Sequence, residues 1–431
     1  MNNSIISNLK KGIWLYFFLL IFEGALRRWV IPSLASPLLL IRDVLAVYLL
    51  IIAIRNNYYP SNRIVPLVFL IGIISIFTAL FFGHGNLFVA LYGARILMIQ
   101  FPMLFLIGHI FNKQDVIDMG KVILWLAIPM TILITMQFYS PQSAWVNKGV
   151  GDNIEGAGFS GANGYMRPPG TFSFTTGNVT FFCLVACYVF YFWLKPQLIN
   201  KYLLIASSLA LLVAIPTSIS RTLFFQVFIS TLFFIWAKSS QPGFLKNFSQ
   251  IVIGISIITI LFLNFDGLND QIGAFWERFT KANEVEGGLR GVFMDRFLGG
   301  LVSSFFSIDD KNIVWGQGIG MGTNVGSQLL TGKLSFLIAE GEWGRIIGES
   351  GMVLGLLIVL IRIQLSFNLL YKSFIKLING DELPWILVSY GFLLLLQGLW
   401  AQPSNLGFYV LTGGLLISSL KTNEDESIEE N

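Results

Sequence analysis

The sequence predicts an all-α, polytopic membrane protein, and three observations predict it. Of its 431 residues 55% are hydrophobic and only 12% charged, about half the charged share of a soluble domain. Runs rich in leucine, isoleucine and phenylalanine recur from end to end at about 20 residues each, the length at which a helix crosses the hydrocarbon layer. Lysine, as shown below, falls on one side of the alternation that those runs imply. With two histidines and two cysteines in the whole chain, a zinc or haem site has little to be built from. No cofactor, metal or nucleic-acid partner is expected.

Apolar runs mark about twelve spans. The first, 13–26, follows a short polar start, and no small-x-small cleavage site comes after it, so it reads as a span that is kept. Glu23 stands there at helical spacing from Arg27 or Arg28, as an ion pair does. The second, 36–54, carries Arg42 directly before Asp43, read as a structural pair. Spans 64–82 and 87–111 follow. Arg95 in the latter has no acidic neighbour on its own helix, so its partner comes from another span, a ligand or water. Span 116–139 leads into a long connection, 140–170. The sixth, 171–194, is entered through GYMRPPGTFSFTTGN, and its Cys183 and Cys187 share a helix face as core packing. Spans 201–216 and 219–237 meet at IPTSISRT, with Pro216, Ser218, Ser220 and Arg221. Span 247–264 precedes the second long connection, 265–345, and the last three spans are 346–367, 383–400 and 405–420. The chain is thus one integral membrane domain over 1–431, closed by an acidic tail, 421–431, expected to be disordered.

Lysine sets the orientation. With the N-terminus cytoplasmic, 11 of the 15 lysines lie on the cytoplasmic side, as the positive-inside rule requires. Both termini are then cytoplasmic, and both long connections face outward from a plasma membrane. Arginine does the opposite: ten of thirteen lie in outward connections or in the outer part of spans. Longer outward loops account for Arg278, Arg290 and Arg296 by simple scatter, but not for Arg42 and Arg95. A guanidinium is a planar, permanently charged fork that matches phosphate oxygens, whereas ammonium is a hydrated point charge. Arginine selected on one face therefore points to an anionic ligand, phosphate above all. Arg167 and Arg221 both stand at outward helix starts, where an anion would relieve the conflict between guanidinium and helix dipole.

The connection 265–345 is not filler. FWERFTKA and LRGVFMDRFLGGLVSSFF alternate aromatic and charged residues at helical spacing, as amphipathic helices on a membrane surface do. WGQGIGMGTNVG follows no strand, so it reads as a tight turn back to the membrane rather than a nucleotide cradle. In AEGEWGRIIGESGMVLG the helical wheel puts Glu342, Arg345 and Glu349 on one face. Gly344, Gly348, Gly351 and Gly355 form a separate seam suited to close helix packing. One arginine between two carboxylates leaves a carboxylate over.

On the stretches MRPPGTFSF, ISRT, WGQGIGMG and EWGRIIGESGMVLG, the chain resembles the O-antigen polymerase and ligase superfamily of bacterial envelope enzymes. The resemblance covers nearly the whole length, including a large outward loop before the last three spans. It implies a fold similar to that of C-type glycosyltransferases. It also implies a glycan donor linked to undecaprenyl pyrophosphate, transferred to an acceptor hydroxyl without metal or nucleotide sugar. Arg167, Arg221, Arg345 and Arg95 would bind the pyrophosphate, and a carboxylate would take the acceptor proton. Many ligase-type members carry a histidine shortly before the step that Glu349-Ser350-Gly351 resembles. This chain has none after His109, and Glu342, with Glu340 behind it, occupies that region as candidate base. Glu349, Arg42 and Asp43 are assigned supporting roles. Polymerase is the leading expectation. The rivals are a ligase that moves finished glycan to lipid A-core or another acceptor, and a flippase for lipid-linked sugar.

Overall fold

The computed structural model describes residues 3–60, 62–152, 156–239, 266–286, 314–333, 337–339 and 341–421. It is mostly helical, because in lipid an open backbone has nothing to bond to and a helix satisfies its own groups. In chain order the main helices are α1 Asn3–Ala25, α2 Ile41–Arg55, α3 Ile64–Phe81, α4 Leu87–Ile110 and α5 Lys113–Tyr139. Next come α6 Thr175–Leu194, α7 Lys201–Thr217, α8 Arg221–Ser239, α9 Asn269–Glu286 and α10 Asn324–Thr331. The last three are α11 Glu342–Ile378, α12 Leu383–Gln397 and α13 Pro403–Ser419. Among the described residues seven helices are long and apolar enough to cross a membrane, or eight if Pro32–Leu38 with Ile41–Arg55 is one broken span. α7 and α12 are apolar but shorter. The chain is a multi-pass membrane protein. Among the described residues the spans fall short of the expected twelve, and the run 247–264 lies outside them, as do LRGVFMDRFLGGLVSSFF and the tail beyond Lys421.

α4 and α6 are the most buried of the spans. Their residues are mostly apolar, as a helix enclosed by other helices requires. Cys183 and Cys187 are free and buried there. Peripheral helices turn Phe77, Trp125, Trp236 and Tyr371 outward, a surface suited to lipid tails. Two turns widen to π-helix, Leu26–Val30 after α1 and Ile96–Gln100 within α4. Such widened turns gather at functional positions, and these two carry or adjoin Arg27, Arg28 and Arg95.

The two ends of the bundle differ chemically. One is laced by lysine–carboxylate pairs: Lys10 with Asp115 at 2.6 Å, Lys113 with Asp381 at 2.7 Å and Lys195 with Glu382 at 2.9 Å. Asp115 also closes a reciprocal cap with Asn112 at the start of α5. The opposite end carries an antiparallel hairpin, β1 Phe159–Ala162 with β2 Tyr165–Arg167, which an all-helical expectation lacks. Its turn, Asn163-Gly164, has φ of 53° and 80°, the pair of left-handed residues that a tight two-residue hairpin needs.

The glycine-rich stretch proves to be a strap rather than a simple turn. α11 is broken at Gly351, whose φ of 76° and ψ of 175° lie outside helical space. The break leaves carbonyls of the preceding turn without helical partners, and the strap supplies them. The Gln317 and Gly318 N–H groups donate to the Gly348 and Glu349 carbonyls at 2.8 and 2.9 Å. The strap also lies against α4, where a side chain on Gly93 would overlap the Gly320 backbone. Gly351 therefore makes a joint, and the backbone packed closely on it is that of Val314 and Gly316 rather than another helix, which corrects the sequence expectation.

Candidate functional site

Two clusters of buried charge sit among the helices. In the first, Arg345 donates to both oxygens of Glu342, at 2.8 and 3.1 Å, and to Glu349. Arg362, on the far side of the break at Gly351, donates to Glu342 at 2.9 Å and lies 4.1 Å from the Trp400 ring. Two guanidiniums thus balance two carboxylates, and no carboxylate is left over. Arg362 was the partner that local spacing could not reveal. Both oxygens of Glu342 are thus engaged by guanidinium donors, and all three nitrogens of Arg345 are spent on Glu342 and Glu349. Glu340 lies outside the described residues.

The second cluster corrects another pairing. Arg42 does not hold Asp43, because neighbours on a helix point about 100° apart. Instead Arg42 donates to Glu23 at 2.7 Å, and Asp43 is gripped by Arg95 at 2.8 and 2.9 Å and by Gln100 at 2.6 Å. Arg27 reaches Glu23 at 3.4 Å and the Ser173 hydroxyl at 3.0 Å. Arg95 is thus committed in part to a structural ion pair.

Arg28 is fully buried and has carbonyls rather than carboxylates around it. It donates to the backbone oxygens of Lys148, Gly170, Phe172 and Val146, at 2.6 to 3.2 Å, and so ties the 140–174 connection to α1. Gln137 adds bonds to Val146 and Gly170. Arg28→Leu therefore strands chiefly the Lys148 and Phe172 carbonyls. The expected cost is about 3 kcal/mol, from two charge-assisted bonds, seen as a lower thermal midpoint and as new tryptic cleavage at Lys148.

What this tether holds in place is Arg167, at the end of β2. The hairpin packs through Ala162 and Tyr165 on Phe138, Ile219 and Ala274, with Phe138 stacked 4.3 Å from Tyr165. Ala274 belongs to α9. One turn further along, Phe275 and Phe279 of α9 meet Phe224 of α8, at 5.8 and 5.6 Å. This interlocking sets Arg278 of α9 and Arg221, at the start of α8, within electrostatic reach of Arg167. Burial first, and then the charges of Arg278 and Arg221, push the Arg167 guanidinium down to about 10. Its Nε is buried without a hydrogen-bond partner, and its charged end lies 5.1 Å from the Phe159 ring. Two residues before Arg221, buried Ile219 takes a φ of 47°. For a β-branched residue that is strained, and strain of this kind gathers at functional sites.

Of the four arginines that the sequence offered for phosphate, the structure brings Arg167 and Arg221 together and holds Arg345 and Arg95 in ion clusters. Arg278, which loop length alone could explain, joins the first two. Its signal was the aromatic spacing of FWERF, which places it between the two rings that dock on α8. Among the described residues no group of His, Cys, Asp or Glu is arranged to hold a metal ion. Fold and charge together define a multi-pass helical membrane protein with a cluster of arginines at one end. No protein-family model, curated protein or solved structure matches the chain.

Proposed function

We propose that this chain is a polysaccharide polymerase that transfers a glycan from undecaprenyl pyrophosphate to a sugar hydroxyl at the outer face of a bacterial inner membrane. The observation that carries the proposal is the convergence of Arg167, Arg221 and Arg278 from three separate elements, with the Arg167 Nε buried and unpartnered. Like charges drawn together in a partly dry place repel one another, and a dianionic group between them would turn that repulsion into binding. The same charges would stabilise pyrophosphate as the glycosidic bond to it breaks. A carboxylate at this site would take the acceptor proton; Glu342 is engaged by Arg345 and Arg362. Orientation follows from the lysines: the lysine-laced end faces the cytoplasm, which turns the hairpin and its arginines outward. The exposed apolar side chains of Phe159, Met166 and Phe174 beside Arg167 suit a lipid-borne substrate.

The test is reconstitution of the purified chain in vesicles with an oligosaccharide repeat on polyprenyl pyrophosphate. The expected products are a ladder of lengthened glycans and free polyprenyl pyrophosphate. Movement of the lipid between leaflets with no new glycosidic bond would make the chain a flippase. Transfer to lipid A-core alone would make it a ligase.

A further inference from the structure

Arg95 leaves two of its three guanidinium nitrogens unused. Its Nη1 holds both oxygens of Asp43, while Nε and Nη2 are buried without a hydrogen-bond partner. Those two nitrogens form the side of a guanidinium with parallel N–H bonds, the fork that fits two oxygens of one phosphoryl group. Leaving charged donors buried and unmet costs far more than leaving them in water.

Charge accounting points the same way. Arg27, Arg42 and Arg95 share Glu23 and Asp43, so three cations face two anions. The α11 cluster, two against two, shows how this protein builds a buried charge group meant to be complete. The surplus in the other cluster is one positive charge, and its unused donors are on Arg95. Arg95 stands eight residues into α4, about 12 Å below the helix start, near the boundary between headgroups and hydrocarbon. The partly exposed Tyr92 ring lies 4.0 Å from its charge.

We propose that the Arg95 fork, with the surplus charge of its cluster, binds a phosphoryl oxyanion at a site separate from the hairpin arginines. The inference does not rest on glycan polymerisation. A lipid headgroup or a free phosphate could supply the group.

The experiment uses the full chain bearing Arg167→Ala, which weakens the hairpin arginines, in micelles of an uncharged maltoside detergent. Native mass spectrometry and equilibrium dialysis read the binding of phosphatidylglycerol, of inorganic pyrophosphate, and of diacylglycerol as the control without a phosphoryl group. Binding of either phosphorylated probe over the control is expected. It should fall roughly tenfold or more in Arg95→Lys, which keeps a cation for Asp43 but loses the fork. A comparable fall is expected in Arg27→Gln, which makes the cluster neutral. Phosphatidylglycerol that pyrophosphate cannot displace identifies a lipid source, and displacement identifies a free one. Equal binding by parent and both variants, or no binding above the control, overturns the proposal. Should Arg95→Lys fail to fold, Arg27→Gln decides alone. Because Arg167 is absent throughout, failure here leaves the polymerase proposal standing, and the reverse also holds.

Discussion

Arg167→Ala is expected to lower the rate of glycan polymerisation by about 10²–10³, the usual loss when one fixed donor to a developing oxyanion is removed. Arg167 has its Nε buried and unpartnered. A lysine there would restore charge but not the fork, so Arg167→Lys is expected to recover only part of the rate. The measurement is the initial rate of lengthening in reconstituted vesicles, with folding checked by the thermal midpoint. In the parent, binding of pyrophosphate also relieves the repulsion from Arg278 and Arg221. Adding pyrophosphate should therefore raise the midpoint of the parent by more than that of Arg167→Ala. An Arg167→Ala enzyme as fast as the parent would remove pyrophosphate from this site.

Gly351→Ala is expected to be the most damaging single substitution to stability, at about 5 kcal/mol. An L residue at its φ of 76° and ψ of 175° is strained by about 1–3 kcal/mol, and the new methyl would overlap the Val314 carbonyl oxygen. Relief of that overlap pushes the strap away, and its hydrogen bonds to Gly348 and Glu349 contribute roughly 1 kcal/mol each. The Gly322 N–H bond to the Glu349 carboxylate, 2.7 Å, would go with them. Gly341, at the start of the same helix, has nothing within 4 Å of an added Cβ. Gly341→Ala should therefore cost under about 1 kcal/mol. Thermal unfolding of the two variants in the same detergent checks the contrast, and equal midpoints would refute it.

The long apolar runs were legible as spans because each advertises itself over about 20 residues, though fewer than twelve stand among the described residues, and Arg221 because proline and small polar residues mark its helix start. Arg167, expected at a helix start, instead ends β2, eight residues before α6 begins. Partners were not legible. Asp43 is 52 residues from Arg95, and Arg362 is 20 from Glu342, separations at which no local spacing operates. Composition also hid the hairpin, although Asn163-Gly164 was its signal. The glycine stretch misled for a physical reason: glycine serves a turn, a close approach and a helix break alike, and only the packed fold shows which one is used.

The broken helix has a mechanical consequence. Glu342 and Arg345 belong to the short piece before Gly351, and Arg362 to the long piece after it, so the 2.9 Å pair between Arg362 and Glu342 works as a latch across a hinge. Swinging the short piece would part a buried ion pair, which costs about 3–5 kcal/mol. The joint is therefore stiff at rest, and its stiffness is set by two side chains rather than by the backbone. Cutting the latch with Arg362→Met would leave the hinge in place and remove what keeps it shut.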